Sequence, residues 1–230
     1  MQYAIMYKIG RNVMQEYRIS DAVIRRLPKY YRYLSELEAY GTEKVSSSRM
    51  SKDMRLNASQ IRRDLNCFGG FGQQGYGYQV SRLRQEIMRI LDIGASHKAI
   101  IVGAGNIGQA LLKYKNFPYE GYSIIAVFDA DKAVIGKEIG GLVVQPMYAM
   151  ADFVVENNVD IGIIAVPKQY AQGLSDELAS LGVKGIWNFA PVDVTARDGV
   201  SVENVHLSDS LYVLSYHMRE NRGNDKHKNK

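Results

Sequence analysis

Cysteine is nearly absent: the 230 residues hold one, Cys67. A lone thiol cannot close an internal disulfide, so stability must come from a packed core, and this usage fits a reducing cytoplasm. Cys67 itself reads as a small apolar filler rather than a redox group. Long apolar runs are missing as well. None approaches the roughly 18 residues of a membrane span, and the first residues lack an apolar stretch with a small-residue cleavage site. Neither membrane insertion nor secretion is expected. Histidines number four: His97, His206, His217 and His227. His97 precedes the first strand of the second half and His227 lies in a basic tail. No acid–base constellation emerges, so no catalytic residue and no metal site are expected.

What is present is 46% hydrophobic and 23% charged, enough for one large domain or two small ones. The net charge of +5 is unevenly spread. Residues 1–96 carry 16 Lys+Arg against 9 Asp+Glu, residues 97–218 carry 8 against 13, and residues 219–230 carry 5 against 2. A basic front half joined to an acidic middle fits a chain whose front faces a polyanion. The plain alternative is chance segregation of surface charge.

Residues 1–17 show no clear periodicity and read as an extension, with Met14 a possible alternative start. From Ser20 the pattern turns helical. Ser20 and Asp21 can cap Ala22–Leu27, and Pro28 suits the first turn of a second helix, Pro28–Tyr40, with Tyr31, Leu34, Leu37 and Glu38 on its inner stripe and Gly41 beyond its end. Serines 46–48 can cap a short helix whose inner face is Met50 and Met54. Arg55-Leu56-Asn57 then turns into a helix over Ala58–Phe68, anchored by Ile61 and Leu65. Short helix, turn, short helix is the helix-turn-helix arrangement. Residues 69–80 hold five glycines with interleaved aromatics, and Tyr76, Tyr78 and Val80 alternate, so a β-hairpin wing is expected over a flexible linker. The winged-helix region spans 18–80, and a connecting helix is placed over 81–96.

From Lys98 the texture becomes α/β. Strands are expected at Ala99–Val102, Ser123–Asp129, Ile161–Val166 and Gly185–Asn188, with helices at Asn106–Tyr114, Met147–Asn157 and Lys168–Leu181. That alternation implies a doubly wound parallel sheet over 97–205. Between the first strand and helix stands Gly103-Ala104-Gly105-Asn106-Ile107-Gly108, a dinucleotide-binding glycine signature with strand before and helix after. Gly103 permits the tight turn, Gly105 lets backbone approach a pyrophosphate, and Gly108 lets the helix pack close to the sheet. Asp129, 21 residues beyond Gly108, stands where a carboxylate accepts from the adenosine ribose and repels a 2′-phosphate, favouring NAD(H) over NADP(H), although Lys132 lies nearby. A tight turn with no ligand is the bland reading of the same residues.

Several segments resemble the Rex family of redox-sensing transcriptional repressors: Ala58–Leu65 (Ala-Ser-Gln-Ile-Arg-Arg-Asp-Leu) with Phe68-Gly69, Gly75-Tyr76-Gly77-Tyr78, Val102–Gly108, Phe128-Asp129, Val166-Pro167, and Gly182–Pro191. The resemblance covers about residues 20–218. It implies a homodimer, each chain carrying a winged-helix DNA reader and a Rossmann domain, with a C-terminal helix crossing to the partner. Segment 206–230 would hold that helix, with Leu207, Leu211, Leu214 and Met218 at helical spacing. The spacing alone serves a helix packed on its own domain equally well. The implied ligands are NADH and NAD+, with Val166, Pro167, Asn188, Phe189 and Tyr114 joining residues 103–108 and Asp129 in the pocket. Ala190 is a further candidate there. The implied partner is double-stranded operator DNA of inverted-repeat form, gripped when NADH is scarce and released when NADH binds. Ser59, Gln60, Arg62 and Arg63 are the expected major-groove contacts, Arg49 and Lys52 the phosphate contacts, and Gln73 and Gln74 the wing's minor-groove contacts. For any one of these arginines, solvated surface charge is the plain alternative. One residue departs from the family's usual pattern: His206 stands where an aspartate couples residues matching Tyr114 and Arg32. Two rival readings stay open, a nicotinamide-dependent oxidoreductase and a CoA-binding, ligase-type Rossmann protein. The glycine-rich wing after an arginine-bearing helix fits neither.

Overall fold

The computed structural model describes residues 2–8, 14–67, 72–73 and 77–228. The chain divides into two compact units, Met1–Gly94 and Ala95–Lys230.

The first unit opens on strands β1 (Gln2–Lys8) and β2 (Met14–Ser20), paired antiparallel from Gln2 opposite Ser20 to Lys8 opposite Met14. This corrects the expectation of an unpatterned extension. The segment Gln-Tyr-Ala-Ile-Met-Tyr-Lys runs its apolar residues together instead of alternating them, so the period-2 signal is lost. Helices α1 (Asp21–Ile24), α2 (Leu27–Ala39), α3 (Ser47–Met54), α4 (Ala58–Asn66) and α5 (Val80–Ile90) follow. Pro28 sits in the first turn of α2, where a missing amide hydrogen costs nothing. The inner stripe of α2 is Leu27, Tyr30, Leu34 and Leu37. Tyr31 and Glu38 lie only half-buried beside it.

The expected serine cap of α3 appears at Ser46, Asn57 caps α4, and Ser20, expected to cap α1, makes no side-chain cap bond. Ser46 Oγ accepts from Arg49 N at 3.1 Å, and Asn57 Oδ1 accepts from Ser59 N at 2.8 Å. Arg55, at φ 54°, makes the left-handed step that ends α3 and aims α4. Helix α4 stops at Asn66, two residues short of the expected Phe68, which falls outside the described residues. Strands β3 (Lys44–Val45), β4 (Gly72–Gln73) and β5 (Gly77–Gln79) form an antiparallel sheet in the order β3-β5-β4. This is the wing. Gly77 has φ +73°, and a Cβ there would stand 2.6 Å from the Val45 carbonyl oxygen, so only glycine lets β5 close onto β3. Helix α5 buries Val80, Leu83 and Ile87 in the same core as α2 and α4. It belongs to the packing of this unit, beyond the connecting role read from the sequence.

In the second unit, β6 (His97–Val102), α6 (Asn106–Leu112), β7 (Tyr122–Asp129), β8 (Glu138–Ile139), β9 (Leu142–Pro146), α7 (Met150–Asn157), β10 (Ile161–Ile164), α8 (Lys168–Ser180), β11 (Gly185–Asn188) and β12 (Ser201–Asn204) alternate. They build one sheet in the order β12-β11-β10-β6-β7-β9-β8, parallel except for the edge pair β8–β9. The strand order reverses between β6 and β10, and in such a sheet ligands bind in the crevice outside the strand ends at that point. Ile100, Ile101, Phe128 and Ile164 are fully buried in the sheet, each contributing about 1.5–3 kcal/mol by leaving water. The pair β8–β9 and strand β12 were not foreseen. β8 is two residues long, β9 ends on a proline, and β12 (Ser-Val-Glu-Asn) carries one apolar residue.

Helix α9 (Asp209–Lys228) closes the chain. Leu207, Leu211, Val213 and Leu214 are all more than half exposed, and Met218 nearly so. The apolar stripe therefore does not pack on its own domain.

Candidate functional site

In the second unit, the turn after β6 shows why glycine recurs there. Gly103 has φ +106°, and a Cβ on it would stand 2.4 Å from the Ala165 carbonyl oxygen. A Cβ on Gly108 would stand 1.9 Å from the Gly103 carbonyl oxygen. In both cases the atom met is backbone, so no neighbouring side chain can rotate away. Gly105 differs: a Cβ there would meet no protein atom within 4 Å. It faces open space, with the uncapped first turn of α6 behind it. Amides of a first helical turn have no intrahelical acceptor, which suits them to an anion.

A crevice of about 620 Å³ opens at this point. Five of the sequence-derived residues line it: Gly103, Gly105, Asp129, Val166 and Pro167. Asp129 ends β7, its Oδ2 accepting from Ala104 N at 2.6 Å and its Oδ1 from Asp131 N at 2.8 Å. Ala104 thus spends its amide on holding Asp129. Ala104, Asn106, Ile107 and Gly108 build the turn and the start of α6 without lining the crevice.

Asn188, Phe189 and Tyr114 also lie off the lining. Asn188 is fully buried and its amide is committed: Nδ2 donates to Val192 O (2.7 Å) and Asn204 Oδ1 (2.8 Å), and Oδ1 accepts from Ala190 N (3.0 Å). It fastens the loop beyond β11 to β12, while Ala190 is itself buried in the core. Tyr114 and Phe189 are the ends of an edge-on aromatic chain through Phe117 and Trp187. Sequence reasoning missed Ala130, Asp131, Met147 and one face of α8, namely Tyr170, Gly173, Leu174 and Glu177. Their spacing of 3, 1 and 3 residues was the available signal.

In the first unit, Ser59, Arg62 and Arg63 of α4 are exposed, as are Arg49 and Lys52 of α3. Arg62 donates to Ser59 Oγ at 2.9 Å and to Ser47 Oγ at 3.3 Å, which holds its guanidinium between the first turns of α4 and α3. Arg49 stands 3.6 Å from Asp53. Gln73 lies in β4, and Gln74 falls outside the described residues. Gln60 is half-buried, its Nε2 donating to Asp64 Oδ1 at 2.8 Å.

Asp64 is the residue that organises α4, and it went unassigned a role from sequence. Its side chain is 1% exposed. Arg26 forks onto both its oxygens at 2.6 and 2.8 Å, and Tyr30 Oη donates to Oδ2 at 2.7 Å. Burial is the largest single influence and pushes this carboxyl up. The hydrogen bonds from Arg26, Tyr30 and Gln60 together outweigh it and hold Asp64 below the usual carboxylate range. The signal was a carboxylate at the spacing of Ile61 and Leu65, inside an apolar stripe.

Among the described residues, no group of histidine, cysteine and carboxylate side chains is placed to hold a metal ion, and no helix is long and apolar enough to cross a membrane.

Comparison with known proteins places both units. Residues 18–66 match a family model described as a putative DNA-binding protein N-terminus, and residues 95–192 match one described as a CoA binding domain. The redox-sensing transcriptional repressor Rex of Clostridium tetani is 49% identical over 88% of this chain and 96% of its own length. Its counterpart in Clostridium beijerinckii is 50% identical over the same shares. The chain belongs to the Rex family of redox-sensing transcriptional repressors. A solved Rex-family repressor, RSP, in complex with β-NAD+ and operator DNA superimposes with a TM-score of 0.82 at 43% identity, covering 96% of this chain and 99% of that one. The same repressor with β-NADH gives 0.82 at 42% identity, covering 90% and 98%. Rex proteins are regulators, not enzymes, and the oxidoreductase and ligase-type readings are not favoured.

Against the Rex pattern, His206 takes a partner from its own unit. Its Nε2 lies 2.7 Å from Asp193 Oδ1. The Asp193 hydrogen bond raises the His206 pKa above the ordinary 6.5, with Asp193 and Asp209 adding electrostatic support. A raised folded-state pKa means that the contact is fully stabilising below about pH 6.5 and is lost as pH rises through the folded value. In a proton NMR titration, His206 should titrate above an ordinary histidine, and Asp193→Asn should move it down toward the ordinary value, with Asp209 still acting on it. An unshifted His206 in the parent protein would contradict the pairing.

Proposed function

We propose that the protein is a homodimeric repressor gated by nicotinamide dinucleotide. It grips an inverted-repeat operator when NADH is scarce and releases it when NADH fills the crevice. The observation that carries this is the pairing, in one chain, of an exposed arginine-bearing α4 beside a wing with a glycine-walled crevice that ends on a carboxylate.

The residues present suit a dinucleotide. Gly105 leaves room for a pyrophosphate beside the first-turn amides of α6. Asp129 is fixed by two backbone amides and keeps lone pairs for ribose hydroxyls, while its charge repels a 2′-phosphate. NADH brings a neutral dihydronicotinamide, which apolar walls accept at lower cost than the cationic ring of NAD+. Gating is then linkage: the crevice must hold NADH more tightly in the released conformation than in the DNA-bound one.

We assign residues 18–80 to DNA reading, 97–205 to nucleotide binding and 206–230 to dimer formation. Exposed Leu211, Leu214 and Met218 on α9 form an apolar surface too extended to be left in water, and a second copy covers it in this reading. Two-fold symmetry in the protein calls for two-fold symmetry in the site. The working compartment is the cytoplasm.

A mobility shift on an inverted repeat against a single half-site tests this reading. Strong preference for the full repeat is expected, and equal affinity would contradict it. Arg62→Ala is expected to weaken operator binding by about 1–3 kcal/mol through loss of a bidentate base contact. Unchanged affinity in the same assay would remove Arg62 from the interface.

A further inference from the structure

Resting on the operator-binding reading above, we propose that Gln60 is a positioning residue rather than a base reader. It carries the orientation of the buried Asp64 carboxylate out to Arg63 and presents that guanidinium to a guanine in the major groove. The observation is a chain of hydrogen bonds that runs from the core of the first unit to its surface. Arg26 donates to both Asp64 oxygens at 2.6 and 2.8 Å, and Tyr30 Oη donates to Oδ2 at 2.7 Å, so the carboxylate is held from turning. Gln60 Nε2 donates to Asp64 Oδ1 at 2.8 Å, and Gln60 Oε1 accepts from Arg63 Nη2 at 3.2 Å. Helical spacing makes the outer links possible, because residues three and four apart on α4 are neighbours on its surface.

The two ends of the chain fix which way the glutamine amide points. A carboxylate offers only acceptors, so it admits only the NH2 group of Gln60 and turns the carbonyl outward. A guanidinium offers only donors, so it meets that carbonyl. The flipped amide would set carbonyl against carboxylate and NH2 against guanidinium, and both bonds would be lost. A glutamine that reads adenine needs its carbonyl and NH2 together on the edge of the base. Gln60 instead gives its NH2 to a carboxylate whose side chain is 1% exposed. Arg63 is exposed, and with one nitrogen steadied by Gln60 it keeps further N–H groups for the paired contact with guanine O6 and N7. Holding a long side chain in advance lowers the rotamer entropy lost on binding. Arg62 is steadied in a similar way by the Ser59 and Ser47 hydroxyls, whereas the brace of Arg63 reaches into the core.

The test substitutes the operator one base pair at a time and measures binding, without NADH, by the full-length parent, Gln60→Met, Arg63→Ala and the double variant. Methionine keeps the length of glutamine and removes its polar atoms. Arg63→Ala is expected to bind the parent operator about tenfold or more weakly and to stop discriminating at one G·C pair. Gln60→Met should lose about three- to tenfold, relax that same G·C pair and leave discrimination at A·T pairs as in the parent. Adding Gln60→Met to Arg63→Ala should cost less than about twofold more, because the effect of Gln60 passes through Arg63. A merely structural role would weaken every operator alike and relax no single pair. Relaxation by Gln60→Met of an A·T pair that Arg63→Ala leaves untouched, costs that multiply in the double variant, uniform weakening, or parent-like binding by Gln60→Met would each overturn the assignment while leaving the proposed function standing. Failure of the parent protein to bind the inverted repeat would remove both.

Discussion

Asp64→Ala is expected to destabilise the DNA-reading unit by about 2–4 kcal/mol and to cost operator binding in step. Breaking a buried ion pair from one side costs roughly 3–5 kcal/mol. The lower range applies because the Arg26 side chain is 29% exposed and regains some water. Tyr30 is fully buried and would keep a hydroxyl without an acceptor. For a domain with a total stability of about 5–15 kcal/mol, that is a large share. Asp64→Asn keeps an acceptor for Tyr30 and should lose less. Because the native carboxyl is held below its ordinary range, its contribution is present above the unfolded carboxylate pKa of about 4 and disappears as pH falls through the folded value. Urea unfolding of parent and variant at pH 7 and near pH 3 checks both statements. The difference between the proteins should shrink in acid, and a variant as stable as the parent at pH 7 would refute the role.

Gly108→Ala is the second large effect. One added methyl group would lie 1.9 Å from the Gly103 carbonyl oxygen, and relief requires α6 to move away from the turn. Overpacking of this kind costs about 1–3 kcal/mol, here at the upper end because both atoms belong to backbone or to a Cβ. Gly105→Ala is the informative partner. Its methyl group meets no protein atom within 4 Å, so the melting temperature should hold while NADH affinity falls. Gly108→Ala should lower both. Thermal melts with and without NADH separate the two, and a Gly108→Ala protein that melts and binds like the parent would refute the close approach.

The sequence made the frame legible where local chemistry decides it. The caps at Ser46 and Asn57, the turn at Arg55, the glycine spacing after β6 and the acid at the end of β7 are each set by a few neighbouring residues. Burial phase was harder. Tyr30 and Tyr31 are equivalent as letters, and what sets Tyr30 inside is the Leu27, Leu34 and Leu37 stripe together with its hydrogen bond to Asp64, 34 residues away. The short edge strands β8 and β12 gain order from their partners in the sheet, not from their own composition. In the crevice, Gly103 and Gly105 of the glycine motif line the wall, whereas Asn188 and Phe189 lie off it, in the loop beyond β11 and the aromatic chain. The α8 face was invisible because its pattern matches any amphipathic helix. Only the buried neighbours on one side and the open space at Gly173 on the other reveal which stripe faces the crevice.

The central claim is that filling the crevice loosens the grip on DNA, and operator affinity measured with NADH absent and then saturating tests it most directly. Coupling of the usual size, about 1–3 kcal/mol, corresponds to roughly 5–150-fold weaker operator binding when NADH is saturating. NAD+ at the same concentration should leave the complex largely intact. Identical operator affinity with and without saturating NADH, from protein shown to bind NADH, would contradict the account.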